Sequence, residues 1–140
     1  MPSNLDDIIN KFALADDDEI KLALLLDYAR KLPPLPPQYE AQRQSDENRV
    51  HECMTPVWLW VERDNGALRM HTFVGEEAPT VKGFLSILLH AYDGGPPHVA
   101  ADAPVDLVNK LGLQNQIRMN RLVGIGAMID RIRKAAVALV

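Results

Sequence analysis

The sequence predicts a mixed fold in which helices stand before and after a small antiparallel sheet. Three observations predict it. Val57 to Arg63 and Leu68 to Val74 are rich in β-formers and flank Asn65-Gly66, the strongest short hairpin signal because both residues tolerate positive φ. The first third of the chain repeats its apolar residues at helical spacing. The back half does the same between Gly and Pro boundaries. A two-stranded hairpin is not stable alone, so a third strand or a helix layer must cover it. Arg49 to Glu52 is expected to supply a short third strand, for a sheet of about three strands that leaves Cys53 at the turn.

The elements follow in order. Leu5, Ile8, Ile9, Phe12 and Ala13 form one helical stripe. Ser3 and Asp6 make a capping box, and Asp6 and Asp7 suit the positive end of the helix dipole. A second helix starts at Asp16-Asp17-Asp18-Glu19, with Asp16 as cap and Glu19 reaching back. It runs through Leu22, Leu25, Leu26, Ala29 and Leu32 and stops at Pro33, because residues before proline avoid the helical region. Its acidic start reads as a solvated helix end rather than a partner surface. Pro33, Pro34, Pro36 and Pro37 make a stiff, extended spacer. Gln38 to Glu47 is polar and expected to be mobile.

With Asn65-Gly66 as the hairpin loop, the register places Glu62 opposite Arg69, Trp60 opposite His71 and Trp58 opposite Phe73. On the other face Val61 meets Met70 and Val57 meets Val74. Facing charges and aromatics support this pairing, and a one-residue slip would turn every side chain to the wrong face. Trp58 and Trp60 read as core residues or as half-covered by a helix, and His71 as a packed histidine.

In the back half, Val81, Phe84, Leu85, Leu88 and Tyr92 mark a helix from about Pro79, which suits a first-turn position. Gly94-Gly95-Pro96-Pro97 ends it. Gly83 inside this helix costs ~1 kcal/mol relative to Ala, which points to close approach of another backbone, with the Cys53 loop as candidate. Pro104 to Leu111 is a short helix closed by Gly112. A last helix from about Asn120 presents Leu122, Ile125, Ile129, Ile132 and Ala136. Gly124 and Gly126 lie near its start without a phosphate-loop or dinucleotide pattern around them.

A chain of 140 residues is expected to form a single domain, 1–140, with its own core. The net charge of -4 and the lack of a basic cluster argue against nucleic acid. The acidic N-terminus reads as neither secretory signal nor transit peptide, and no stretch is long enough to span a membrane. One unpaired Cys fits a reducing compartment, so a cytoplasmic location is expected.

Cys53, the only cysteine, lies between a polar run and Pro56, in or beside a loop. A lone Cys is by default a small buried hydrophobe. No second Cys allows an internal disulfide. His51 and Cys53 form only an H-x-C pair, and His71, His90 and His98 fall at no metal-ligand spacing, so no metal or other cofactor is expected. Two rival readings are a Cys–His hydrolase or acyl-transferase, with Cys53 activated by His71 or His90, and an adaptor in which Cys53 is inert.

These residues carry a resemblance that covers almost the whole chain. The matching pieces are Arg30-Lys31-Leu32-Pro33 with Leu35, Asn48-Arg49-Val50 leading to Cys53, and Val57-Trp58. Val81-Lys82-Gly83, Leu111-Gly112-Leu113, Arg121 with Gly124, Met128-Ile129 and Ile132-Arg133 follow in order. The chain resembles the SufE family, sulfur acceptors and activators of cysteine desulfurases in iron–sulfur cluster assembly. Glu52 stands where the family has Gly, Thr55 where Ser is usual, and Pro56 is unusual. Glu52 and Pro56 should stiffen the loop, and a carboxylate beside a thiol disfavours the thiolate.

The resemblance implies an α+β fold like that of the related iron–sulfur scaffold proteins. It implies that Cys53 accepts a persulfide sulfur from a pyridoxal-phosphate cysteine desulfurase of the SufS kind, stimulates that enzyme, and passes the sulfur on, with a cluster scaffold complex as a further partner. On this view the chain is a sulfur carrier and not a self-sufficient enzyme. A variant of the reading gives it a cysteine sulfinate desulfinase as donor and another thio-product as destination. Arg121 is the second expected site residue, since a cation beside a cysteine favours the thiolate. His51 is a third candidate, as an assisting acid or base.

Overall fold

The computed structural model describes residues 4–140, so the expected cap at Ser3 lies outside the described residues. Helix α1, Asn4–Ala13, buries Leu5, Ile8 and Phe12. Helix α2 runs Asp18–Arg30. Its cap is Asp17 rather than Asp16: Asp17 has extended backbone, with φ -143°, and its carboxylate accepts the Ile20 N–H at 2.9 Å. Only the residue that breaks helical backbone just ahead of the first turn can reach that donor. Asp17→Ala is expected to cost about 1 kcal/mol, seen as a lower midpoint in a thermal melt, whereas Asp16→Ala should leave the melt unchanged.

Helix α2 ends at Arg30, short of the expected Leu32, because Lys31 closes its last turn. The chain then runs without regular structure to Pro36. Pro37 does not continue the spacer. It opens a short helix, α3, at Pro37–Glu40, followed by a 3-10 turn at Ala41–Gln44.

Strands β1, Val57–Asp64, and β2, Ala67–Val74, pair in the expected register, including Trp58 with Phe73, Trp60 with His71 and Glu62 with Arg69. Asn65 and Gly66 turn the chain with φ of 52° and 80°, the left-handed conformations this tight turn requires. The sheet has two strands, not three. Arg49 makes one isolated bridge to Trp58, flanked by Leu59 N–H to the Asn48 carbonyl at 2.8 Å and Val50 N–H to the Val57 carbonyl at 2.9 Å. The chain turns back immediately, with the Cys53 N–H bonded to the Val50 carbonyl at 3.2 Å, so no ladder can run on.

Val57, Leu59, Leu68, Met70 and Val74 join the main core. On the other face of the hairpin, side chains of the Gln38 to Glu47 segment pack onto the sheet. Tyr39 is buried with Trp58 and Trp60. It stacks on His71 at 4.3 Å and donates a hydrogen bond to Glu62. Trp60 Nε1 donates to Gln42 Oε1 at 2.9 Å, Trp58 Nε1 donates to the Ser45 carbonyl at 3.3 Å, and Arg43 lies 3.5 Å over the Phe73 ring. Buried indoles need acceptors for their N–H groups. The polar residues that suggested a loose segment supply them. His71 is the packed histidine its position suggested.

Helix α4, Pro79–Tyr92, is buried along most of its faces and lies against α1, α2 and β2. Gly83 meets the Leu25 backbone of α2, not the Cys53 loop. A short helix that the sequence reading did not separate, α5, spans Pro97–Ala101, with Pro97 in its first turn. Helix α6 is Leu107–Lys110, and Gly112 follows it with φ of 70°. Helix α7, Met119–Leu139, lies against α5 and β1 and buries Gly124, Ile125, Met128, Ile129, Ile132 and Ala136. Leu122, expected in that stripe, faces outward instead. The architecture is α+β, and among the described residues no helix is long and apolar enough to cross a membrane.

Candidate functional site

The site is the loop between Val50 and Val57. Its neck is closed by the Val50 N–H to Val57 carbonyl bond, and the Gly75 N–H bonds the Pro56 carbonyl at 2.9 Å. The buried side chains of Val50 and Val57 anchor both ends in the core. The loop is therefore anchored at its base.

Inside it, exposed and buried residues alternate. His51, Glu52 and Met54 face solvent, while Cys53 and Thr55 face the protein. Cys53 retains 6% of its accessible surface. It reaches the first two turns of α7, where an ideal Cβ on Gly124 would fall 2.9 Å from Cys53 Cα, 2.9 Å from its Cβ and 3.0 Å from its Sγ. Glycine is thus required for the thiol to rest where it does: the space a side chain would fill holds the cysteine.

One turn earlier on the same helix face, the Arg121 guanidinium donates to the Thr55 hydroxyl, which is 2% exposed. Residues three apart on a helix share a face, so Arg121 and Gly124 grip the loop at two points. Arg121 reaches the Cys53 loop, where its hydrogen bond goes to Thr55 rather than to the sulfur. His51 is exposed and makes no hydrogen bond to Cys53, so the structure does not bring it into the site. His90 Nδ1 lies 2.7 Å from the Ser86 carbonyl and its ring meets Tyr28 edge-on. With His71 stacked on Tyr39, neither histidine proposed for a Cys–His pair is hydrogen-bonded to Cys53.

The carboxylate of Glu52 is directed outward, and α7 offers it a cation. Lys134 is ion-paired with Asp130 at 2.9 Å. Asp130, and to a smaller extent Glu52, hold the Lys134 ammonium above its ordinary pKa. Among the described residues no cluster of three or more His, Cys, Asp or Glu is placed to hold a metal ion.

Sequence reasoning missed the part played by Gly124. In the sequence it reads only as a glycine without a phosphate-loop pattern around it and as the partner of Arg121 in a family pattern. The Arg-x-x-Gly spacing was the available signal, because it puts a cation and a bare backbone on one helix face. What the pair faces is set by the tertiary fold.

The fold and loop define a class: a small α+β protein with one thiol, shielded on a closed loop against a glycine of its C-terminal helix. The family model SufE, described as an Fe-S metabolism associated domain, matches residues 6–136, and the chain belongs to that family. It is 36% identical over 135 residues to an uncharacterised SufE-like protein of Mycobacterium tuberculosis, covering 96% of this chain and 92% of the relative. It is 32% identical over 125 residues to the sulfur acceptor protein CsdE of Escherichia coli, covering 88% of this chain and 81% of that one. The solution structure of a hypothetical protein from Thermus thermophilus matches with a TM-score of 0.83 at 29% identity, over 99% of this chain and 97% of that one.

Proposed function

We propose that the protein accepts a sulfane sulfur on Cys53 from the persulfide of a cysteine desulfurase, stimulates that enzyme by clearing its product, and delivers the sulfur to iron–sulfur cluster assembly. The observation that carries this reading is the seat of Cys53. The lone thiol is shielded against Gly124, on a loop that also presents His51, Glu52 and Met54 to solvent and that meets α7 through Gly124 and Arg121. Family membership and the likeness to a named sulfur acceptor support the kind of donor.

The chemistry is exchange. The Cys53 thiolate attacks the outer sulfur of the donor's cysteine persulfide. A new sulfur–sulfur bond forms at Cys53, the donor's sulfur–sulfur bond breaks, and the donor's cysteine leaves as thiolate. The transferred sulfur keeps its oxidation state, so no oxidant, reductant or metal takes part. Arg121, held beside the loop by its hydrogen bond to the Thr55 hydroxyl, supplies positive charge to the anionic sulfur groups exchanged there. Burial between encounters protects the sulfur from oxidation.

The test is intact-mass spectrometry after incubation with a sequence-matched desulfurase and free cysteine. The expected result is a gain of one sulfur atom, reversed by a thiol reductant and absent in Cys53→Ser. An unchanged mass with a competent desulfurase overturns the reading.

A further inference from the structure

A cavity of about 380 Å³ lies between α1, the end of α4 and α5. No residue of the Cys53 loop or of α7 lines it. Its volume falls within the range of small-molecule sites, about 300–1,000 Å³. Leu5 and Ile9, one turn apart on α1, and Val99 of α5 give it apolar walls. Asp102 and Lys110 stand exposed at its rim, and among the described residues the side chain of neither is hydrogen-bonded or ion-paired. Tyr92 also lines it. That residue is 3% exposed, and its hydroxyl has no hydrogen-bond partner. Native folds rarely leave a buried polar atom unserved, so each such atom calls for a partner. Burial, and to a smaller extent the Asp6 carboxylate, push the Tyr92 phenol up to about 12. The hydroxyl is therefore a neutral donor at pH 7. It feels the charge of Asp6, which itself lines the cavity.

We propose that this cavity binds a free amino acid with an aliphatic side chain. The ammonium group sits at Asp102, the carboxylate at Lys110 and the Tyr92 hydroxyl, and the side chain between Leu5, Ile9 and Val99. The lining discriminates among ligand classes. A bare amine would leave Lys110 and the phenol without a partner. A fatty acid would bring its charge against Asp6 and Asp102, and a phosphate ester would bring more, and like charges set face to face repel. A sugar would cover the apolar walls with hydroxyl groups and forgo their burial. A zwitterion with a short aliphatic tail meets both signs of charge and the apolar walls at once. Such a convergence of a few polar groups on an apolar cavity is the ordinary make-up of a ligand site. The site is separate from Cys53, and it stands or falls independently of the sulfur chemistry.

The experiment is an amide chemical-shift titration of the full chain with L-leucine, with 3-methylbutylamine, which is leucine without its carboxylate, and with 4-methylpentanoate, which is leucine without its amine. The expected result is a saturable shift with leucine, centred on Leu5, Ile9, Val99 and Asp102, and binding at least about tenfold weaker for either analogue, since each forgoes a charge-assisted hydrogen bond. Tyr92→Phe keeps the ring and removes the donor. It should melt no earlier than wild type, because no hydrogen bond is lost, and should bind leucine about tenfold more weakly. If Tyr92→Phe does not fold, Lys110→Ala, at an exposed position, decides in its place with the same expected loss. No saturable shift up to the solubility limit of leucine overturns the site, as do shifts centred elsewhere. An analogue that binds as well as leucine, or unchanged leucine binding in the deciding variant, overturns the assignment of a zwitterion and leaves the Tyr92 hydroxyl to water.

Discussion

Replacing Gly124 by alanine is expected to raise the alkylation rate of Cys53 by at least about tenfold while leaving the fold intact. The added methyl would stand 2.9 Å from Cys53 Cα and 3.0 Å from Sγ. Real side-chain atoms do not approach that closely, and the nearest obstacle is loop backbone, which no rotamer change can clear. Helix α7 is held through Ile125, Met128, Ile129 and Ile132, so the loop moves and the helix stays. If the presented state of the loop is now populated at roughly 0.1–10%, loss of the seat leaves room for a ten- to thousand-fold rise.

Alanine is also the better helix former, by ~1 kcal/mol. The variant should therefore melt no earlier than wild type even as its thiol becomes reactive. Gly126→Ala is the matched control. It gives the same helix the same gain, its Cβ would meet nothing within 4 Å, and Cys53 should react at the wild-type rate. Equal alkylation of the Gly124→Ala and wild-type proteins would refute the seat.

Gly83→Ala is expected to give the larger loss of stability. Its Cβ would collide with the Leu25 carbonyl oxygen, 2.9 Å from Leu25 Cδ1 and 3.1 Å from the carbonyl carbon. The obstruction is again backbone, so α2 and α4 must separate. Overpacking of a core costs about 1–3 kcal/mol, and a rigid backbone contact belongs at the upper end. The helix-propensity gain of ~1 kcal/mol offsets part of it. A net loss of about 1–2 kcal/mol lowers the melting midpoint of a chain this size by roughly 3–8 °C. Leu25→Ala in the same chain should not restore it, because the blocking atoms are not in the side chain. A midpoint at or above wild type would show that α2 and α4 are not in direct backbone contact here.

These two glycines separate what was legible in the chain from what was not. At both positions the sequence shows a glycine inside a helical pattern, and at Gly83 its cost points to close approach of another backbone. It does not show which backbone. The Cys53 loop is the candidate the sequence offers for Gly83, but Gly83 meets Leu25, and it is Gly124 that meets Cys53. The short helix at Pro97–Ala101 and the packed segment from Gln38 to Glu47 were lost for a related reason. Both take their structure from what they cover rather than from periodicity of their own.

By itself the sequence determined the hairpin and its register, the long helices, and a single cysteine in or beside a loop. Turn chemistry, alternation and residue type are local, and they act whatever the rest of the chain does. Only the tertiary structure decided that Arg121 holds Thr55, that Gly124 receives Cys53, and that Leu122 turns outward while Ile125 turns in. Contacts between residues some seventy positions apart depend on how helices pack around a shared core, and spacing along the chain does not encode that distance.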